Sequence, residues 1–91
     1  MQQIQKIIVG VELPREDLLH LLENFHYQRR EFVAKPGEFA FRGATFDLYP
    51  LTYRLPVRLE FERDTLVSIH DFSHREKITF ALLKVAPHVK D

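Results

Sequence analysis

The sequence contains no cysteine, which excludes a disulfide framework and any thiolate-bound metal. It has three glycines, Gly10, Gly37 and Gly43, and none stands before a Lys-Ser or Lys-Thr pair. A phosphate-cradling loop is therefore absent, and nucleotide hydrolysis by this chain is not expected. There is no excess of charge: 13 basic residues balance 13 acidic ones. A nucleic-acid-binding domain of this size usually carries a clear positive excess, because phosphate neutralisation dominates its affinity. Long apolar runs are missing too. The longest, Ile7-Ile8-Val9 and Phe80-Ala81-Leu82-Leu83, fall far short of the roughly 18 residues of a membrane helix. Residues 1–6 lack the charged-then-apolar build of a signal peptide. Cytoplasm is the expected location, in keeping with the absence of cysteine.

What is present is one domain's worth of chain, residues 1–91, able to bury one modest core. Eight Phe and three Tyr supply large pieces of buried area to it.

The β-branched stretch Gln5–Glu12 reads as a strand. In the segment that follows, Leu18, Leu21, Leu22 and Phe25 recur at helical spacing. Pro14 suits the first turn, and Glu16 and Asp17 favour the positive end of the helix dipole. Residues 27–34 alternate as an extended segment, Lys35-Pro36-Gly37 is a turn, and 38–42 with 45–49 form a tight hairpin around Gly43. Val57, Leu59 and Phe61 alternate with Arg58, Glu60 and Glu62 in a half-buried strand. Strands follow over 65–72 and 77–85, joined by the polar loop 73–76, with Pro87 marking a frayed end. One helix followed by consecutive hairpins gives an α+β fold, a mainly antiparallel sheet of about five to six strands with the helix packed on it.

Few residues suggest chemistry. His70 and His74 are four apart, but they bracket a strand end without a third ligand. Together with His20, His26 and His88 they read as solvated or capping side chains. Glu60 and Glu62 share a polar strand face beside Arg58 and read as solvent contacts rather than as an acid–base pair. Ser68 and Ser73 lack a nucleophile elbow. No catalytic, cofactor or metal site is expected. Arg29, Arg30, Lys35, Arg42, Arg54 and Arg58 lie along one stretch with aromatics interleaved, a pattern open to nucleic acid or to ordinary surface mixing. Arg42-Gly43 at the hairpin tip, with Arg29 before it and Phe46 and Tyr49 after it, has the composition of a protein-binding hot spot. An intramolecular salt bridge shaping the hairpin is the alternative.

Several blocks together resemble a known module. They are Val9-Gly10-Val11-Glu12-Leu13, Tyr27-Gln28-Arg29, Pro36-Gly37-Glu38-Phe39-Ala40-Phe41-Arg42-Gly43, Phe46-Asp47-Leu48-Tyr49-Pro50 and Pro56-Val57-Arg58-Leu59-Glu60-Phe61. The chain resembles, over residues 7–87, the UvrA-interacting domain shared by the excision-repair helicase UvrB and the transcription-repair coupling factor Mfd, the coupling-factor version more than the other. The resemblance implies a non-catalytic module of nucleotide-excision repair that docks onto UvrA, with any helicase motor elsewhere. It implies that Arg29, from the Tyr-x-Arg element, and Arg42, from the x-Arg-Gly element, contact the partner, with Phe46 joining the same surface. Ala40 stands where UvrB-type modules often carry a further arginine. The family's Phe-Gly-Asp turn is Glu62-Arg63-Asp64 here, and residues 51–55 and 73–77 also depart from its pattern. Two other expectations stand beside docking: sequence-independent DNA binding, and packing only against other domains of a parent protein or against itself.

Overall fold

The computed structural model describes residues 4–72 and 77–84. Its elements are β1 (Ile4–Ile8), α1 (Arg15–Asn24), β2 (Gln28–Arg29), β3 (Glu38–Arg42), β4 (Thr45–Leu48), β5 (Val57–Glu62), β6 (Thr65–Asp71), β7 (Lys77–Ile78) and β8 (Phe80–Lys84). The α+β class expected from the sequence is the one observed. The loop 73–76 with His74, and the end containing Pro87 and His88, lie outside the described residues.

β3 to β7 form an antiparallel meander, and β2 adds to its β3 edge in parallel. β1 does not join this sheet. It pairs with β8 in a separate two-stranded ribbon. Two segments read as single strands are each divided between the sheets. Gly10, at φ 97°, breaks the first, so that Ile4–Ile8 pairs with β8 while Gly10, Val11 and Leu13 bond backbone to Leu66 and Asp64. The last strand breaks at Thr79, whose carbonyl accepts from the Val9 N–H, with Lys77–Ile78 on β6 and Phe80–Lys84 on β1. Strands that change sheets in this way make the corner of the fold.

Leu18, Leu22 and Phe25 of the helical stripe share one buried cluster with Phe39, Phe46, Leu48, Val57, Leu59 and Ile69 from the inner sheet face and Ile7 and Leu83 from the ribbon. Pro14 sits just ahead of the helix rather than in its first turn. The helix ends in a Schellman arrangement: the His26 N–H donates to Glu23, the Tyr27 N–H donates to Leu22, and His26 takes the left-handed conformation. Leu22 and Tyr27, at the two positions whose apolar side chains accompany such a cap, are both buried in the core cluster. The loop after β4 covers the ribbon's edge. Its Thr52 hydroxyl donates to the Leu82 carbonyl at 2.8 Å, and its Tyr53 hydroxyl donates to the Phe80 carbonyl at 3.0 Å. Two edge acceptors that invite another strand are thereby occupied.

Candidate functional site

The extended segment expected over 27–34 keeps only Gln28 and Arg29 in the sheet. A buried carboxylate takes the rest away. Glu38, 5% exposed at the start of β3, accepts backbone N–H bonds from Ala34 and Lys35 at 2.9 and 3.0 Å, and Arg30 Nε lies 3.3 Å from its other oxygen. The Ala34 N–H foremost, with help from the Lys35 N–H and the nearby cations, holds this carboxyl below the ordinary glutamate range against the opposing effect of burial. Residues 30–35 are thus drawn over the outer face of β3, and the edge of β3 is bare beyond Phe39.

Arg29 and Arg42 flank that bare edge. Arg29 is the register partner of Phe39 and lies on the inner face, where its guanidinium sits 4.1 Å from the centroid of Phe41, with that of Arg15 at 5.9 Å. Arg42 lies on the outer face, 4.9 Å over Phe32, and donates from Nη2 to the Glu31 carbonyl at 3.0 Å. Rings under guanidinium groups hold them in place without neutralising them. Arg29, Arg30, Glu31, Ala40, Phe41 and Arg42 line an open depression of about 480 Å³ in the fork where the segment after β2 parts from β3. Among the described residues neither Arg29 nor Arg42 forms an ion pair.

Phe46 does not share this surface. It is 1% exposed and lies in the core, because β4 turns it inward opposite Phe41. Its ring stacks on Phe41 at 5.1 Å and meets Phe61 edge-on at 5.8 Å. Tyr49 also stands apart, at the far end of the hairpin against Gly37, donating its hydroxyl to the Arg54 carbonyl at 2.6 Å. The aromatics of the site are half-buried Phe41 and Phe32, which is 68% exposed. Nothing in the local alternation singles out Phe32, since its exposure follows from the chain leaving the sheet. Ala40 is buried on the floor of the depression.

Two of the other arginines in that stretch are engaged internally, Arg30 by Glu38 and Arg58 by Asp47. Arg58 grips Asp47 at 2.8 and 3.3 Å, a pairing that raises the basicity of its guanidinium, and lies 5.0 Å over Phe72. Next to it on the outer face, Glu60 accepts from the Ser68 hydroxyl at 2.9 Å and lies 3.5 Å from His70 Nδ1. No helix among the described residues is long and apolar enough to cross a membrane.

Comparison with known proteins finds relatives of this chain among larger repair proteins. The transcription-repair-coupling factor of Bacillus subtilis is 34% identical over 84 residues, covering 89% of this chain and 7% of that protein. UvrABC system protein B of Chlorobaculum tepidum is 39% identical over 72 residues, covering 79% of this chain and 10% of that protein. The coupling factor of Myxococcus xanthus is 35% identical, covering 87% of this chain and 7% of its own. The chain thus spans a tenth or less of the length of these relatives. The family model for the UvrB interaction domain matches residues 6–87, and the chain belongs to that family.

Proposed function

We propose that this chain is a docking module of nucleotide-excision repair that binds UvrA through the arginine-bearing edge of β3. Arg29 and Arg42 make the direct contacts, and Phe46 acts beneath them by holding Phe41. The observation that carries this reading is the pair of guanidinium groups without an ion-pair partner among the described residues, each set over an aromatic ring at either side of an open strand edge. Arginines held this way meet carboxylates by two-point hydrogen bonds with little ordering left to do. Complementary charge would set association rate and specificity. Any motor activity of a longer parent would lie outside this domain.

The test is calorimetric titration of the chain into UvrA, with Arg42→Ala alongside. Saturable binding that weakens on the order of thirtyfold or more in the variant is expected for a hot-spot arginine. Wild-type chain that fails to bind removes UvrA as the partner. Equal binding by the variant removes this edge as the surface.

A further inference from the structure

The edge of β3 offers more than charge. The β3–β4 hairpin closes with Arg42 opposite Thr45 across the two-residue loop Gly43-Ala44, so alternate β3 residues turn their backbone groups away from β4. Phe39 is one of these, and its outward carbonyl accepts from the Arg30 N–H at 2.8 Å. Phe41 is the next. Pairing with β2 has ended by then, and its N–H and C=O face the fork, where none of the described residues meets them. A donor and an acceptor therefore stand side by side on the wall of the depression, with Arg29 on one face of the sheet and Arg42 on the other.

We infer that this edge receives an extended segment of a protein partner by main-chain pairing, and that the segment carries acidic side chains at two consecutive positions. A lone carboxylate would satisfy the Phe41 N–H but face its carbonyl oxygen. A peptide residue antiparallel to Phe41 accepts from the one and donates to the other. Its side chain then falls on the inner face, toward Arg29. The residue before it lies opposite Arg42 and points to the outer face, because strand side chains alternate. Acidic residues two apart would share one face and reach a single arginine. The backbone supplies pairing, and the order of acids supplies selection. The inference rests on the docking reading for its surface, though not on the identity of UvrA.

The test is titration of the isotope-labelled chain with capped octapeptides followed by amide resonances. One peptide carries Glu-Asp at its centre between β-branched residues. An isomer separates the two acids by one residue, and a third form is N-methylated at the Asp. The expected result is a downfield shift and slowed exchange of the Phe41 amide with the first peptide. Binding should fall on the order of tenfold for the spaced isomer, and as far or further for the N-methylated form. A Phe41 amide that neither shifts nor slows at about 1 mM peptide, a concentration that reveals even weak complexes, overturns the inference. Equal binding of the two isomers, or indifference to N-methylation, overturns it as well. UvrA binding is measured separately. Peptides that fail while UvrA binds with Arg29 and Arg42 dependence leave docking intact without main-chain pairing, and the reverse result removes UvrA alone.

Discussion

Phe41 is stacked on Phe46, with ring planes 19° from parallel, so the arginine surface stands directly on the hydrophobic core. Arg29, Phe41, Phe46 and Phe61 form one row across the inner sheet face, with Phe46 its fully buried member. The proposed partner contact and the stability of the core therefore rest on different members of the same row, and mutation should separate them.

Phe46→Ala removes a fully buried ring and should lower unfolding free energy by about 3–5 kcal/mol, measured by urea denaturation. Any loss of binding should then follow the folded fraction. Phe41→Ala removes a half-buried ring and should cost less stability, while binding weakens even at full folding because Arg29 loses its support. Equal stability loss in the two variants would show that Phe41 is core rather than platform.

Arg29→Lys keeps the charge but loses the planar contact with Phe41 and the two-point geometry. We expect stability within about 0.5 kcal/mol of the parent, as for other exposed substitutions, and UvrA binding weakened by roughly tenfold. Full retention of affinity by calorimetry would mean that Arg29 acts as a diffuse charge.

The depressed ionisation of Glu38 ties the loop to pH. A carboxyl whose folded value lies below its unfolded one contributes stability that is complete above the unfolded range, near pH 4–5, and is lost as pH falls through the folded value. Glu38→Gln, which cannot gain from ionisation, should flatten the acid limb of a stability-versus-pH curve below about pH 5. An unchanged limb would place the acid sensitivity in other carboxylates. Because Arg30 is half-exposed, Arg30→Ala should matter far less than Glu38→Gln, the backbone bonds being the main anchor.

These assignments mark where the sequence was readable. The helical stripe, the meander and the Gly43 turn are local patterns, and periodicity or a single positive φ reveals them. Gly43 lies at φ 56°, on the first residue of its two-residue loop, as a type II′ hairpin requires. Phe46 lies in the core rather than on the arginine surface because nearness to the hairpin tip and a shared face do not say which face is covered. Residues 30–34 leave the sheet because a carboxylate four to eight positions ahead captures them, a contact that alternation cannot register. The division of the first and last strands between two sheets depends on their meeting each other, which is equally non-local.

Arg63 offers a last prediction, and it joins the family pattern to backbone strain. It occupies the first position of the Arg63-Asp64 loop closing β5 and β6, at φ 56°, where the Phe-Gly-Asp turn implied by the resemblance would place glycine. Its side chain is exposed and enters no ion pair among the described residues, so little offsets the crowding of its Cβ. The turn itself is anchored, since the Asp64 carbonyl accepts from Leu13 N–H at 2.6 Å. Arg63→Gly should relieve the strain while increasing the freedom of the unfolded chain, for a net gain of about 0.5–1 kcal/mol in urea denaturation. The loop lies two strands from the β3 edge and lends no residue to the depression between Arg29 and Arg42, so UvrA affinity should change by less than about threefold. Loss of stability instead would mean that the Arg63 side chain holds the turn in a way its backbone geometry does not reveal.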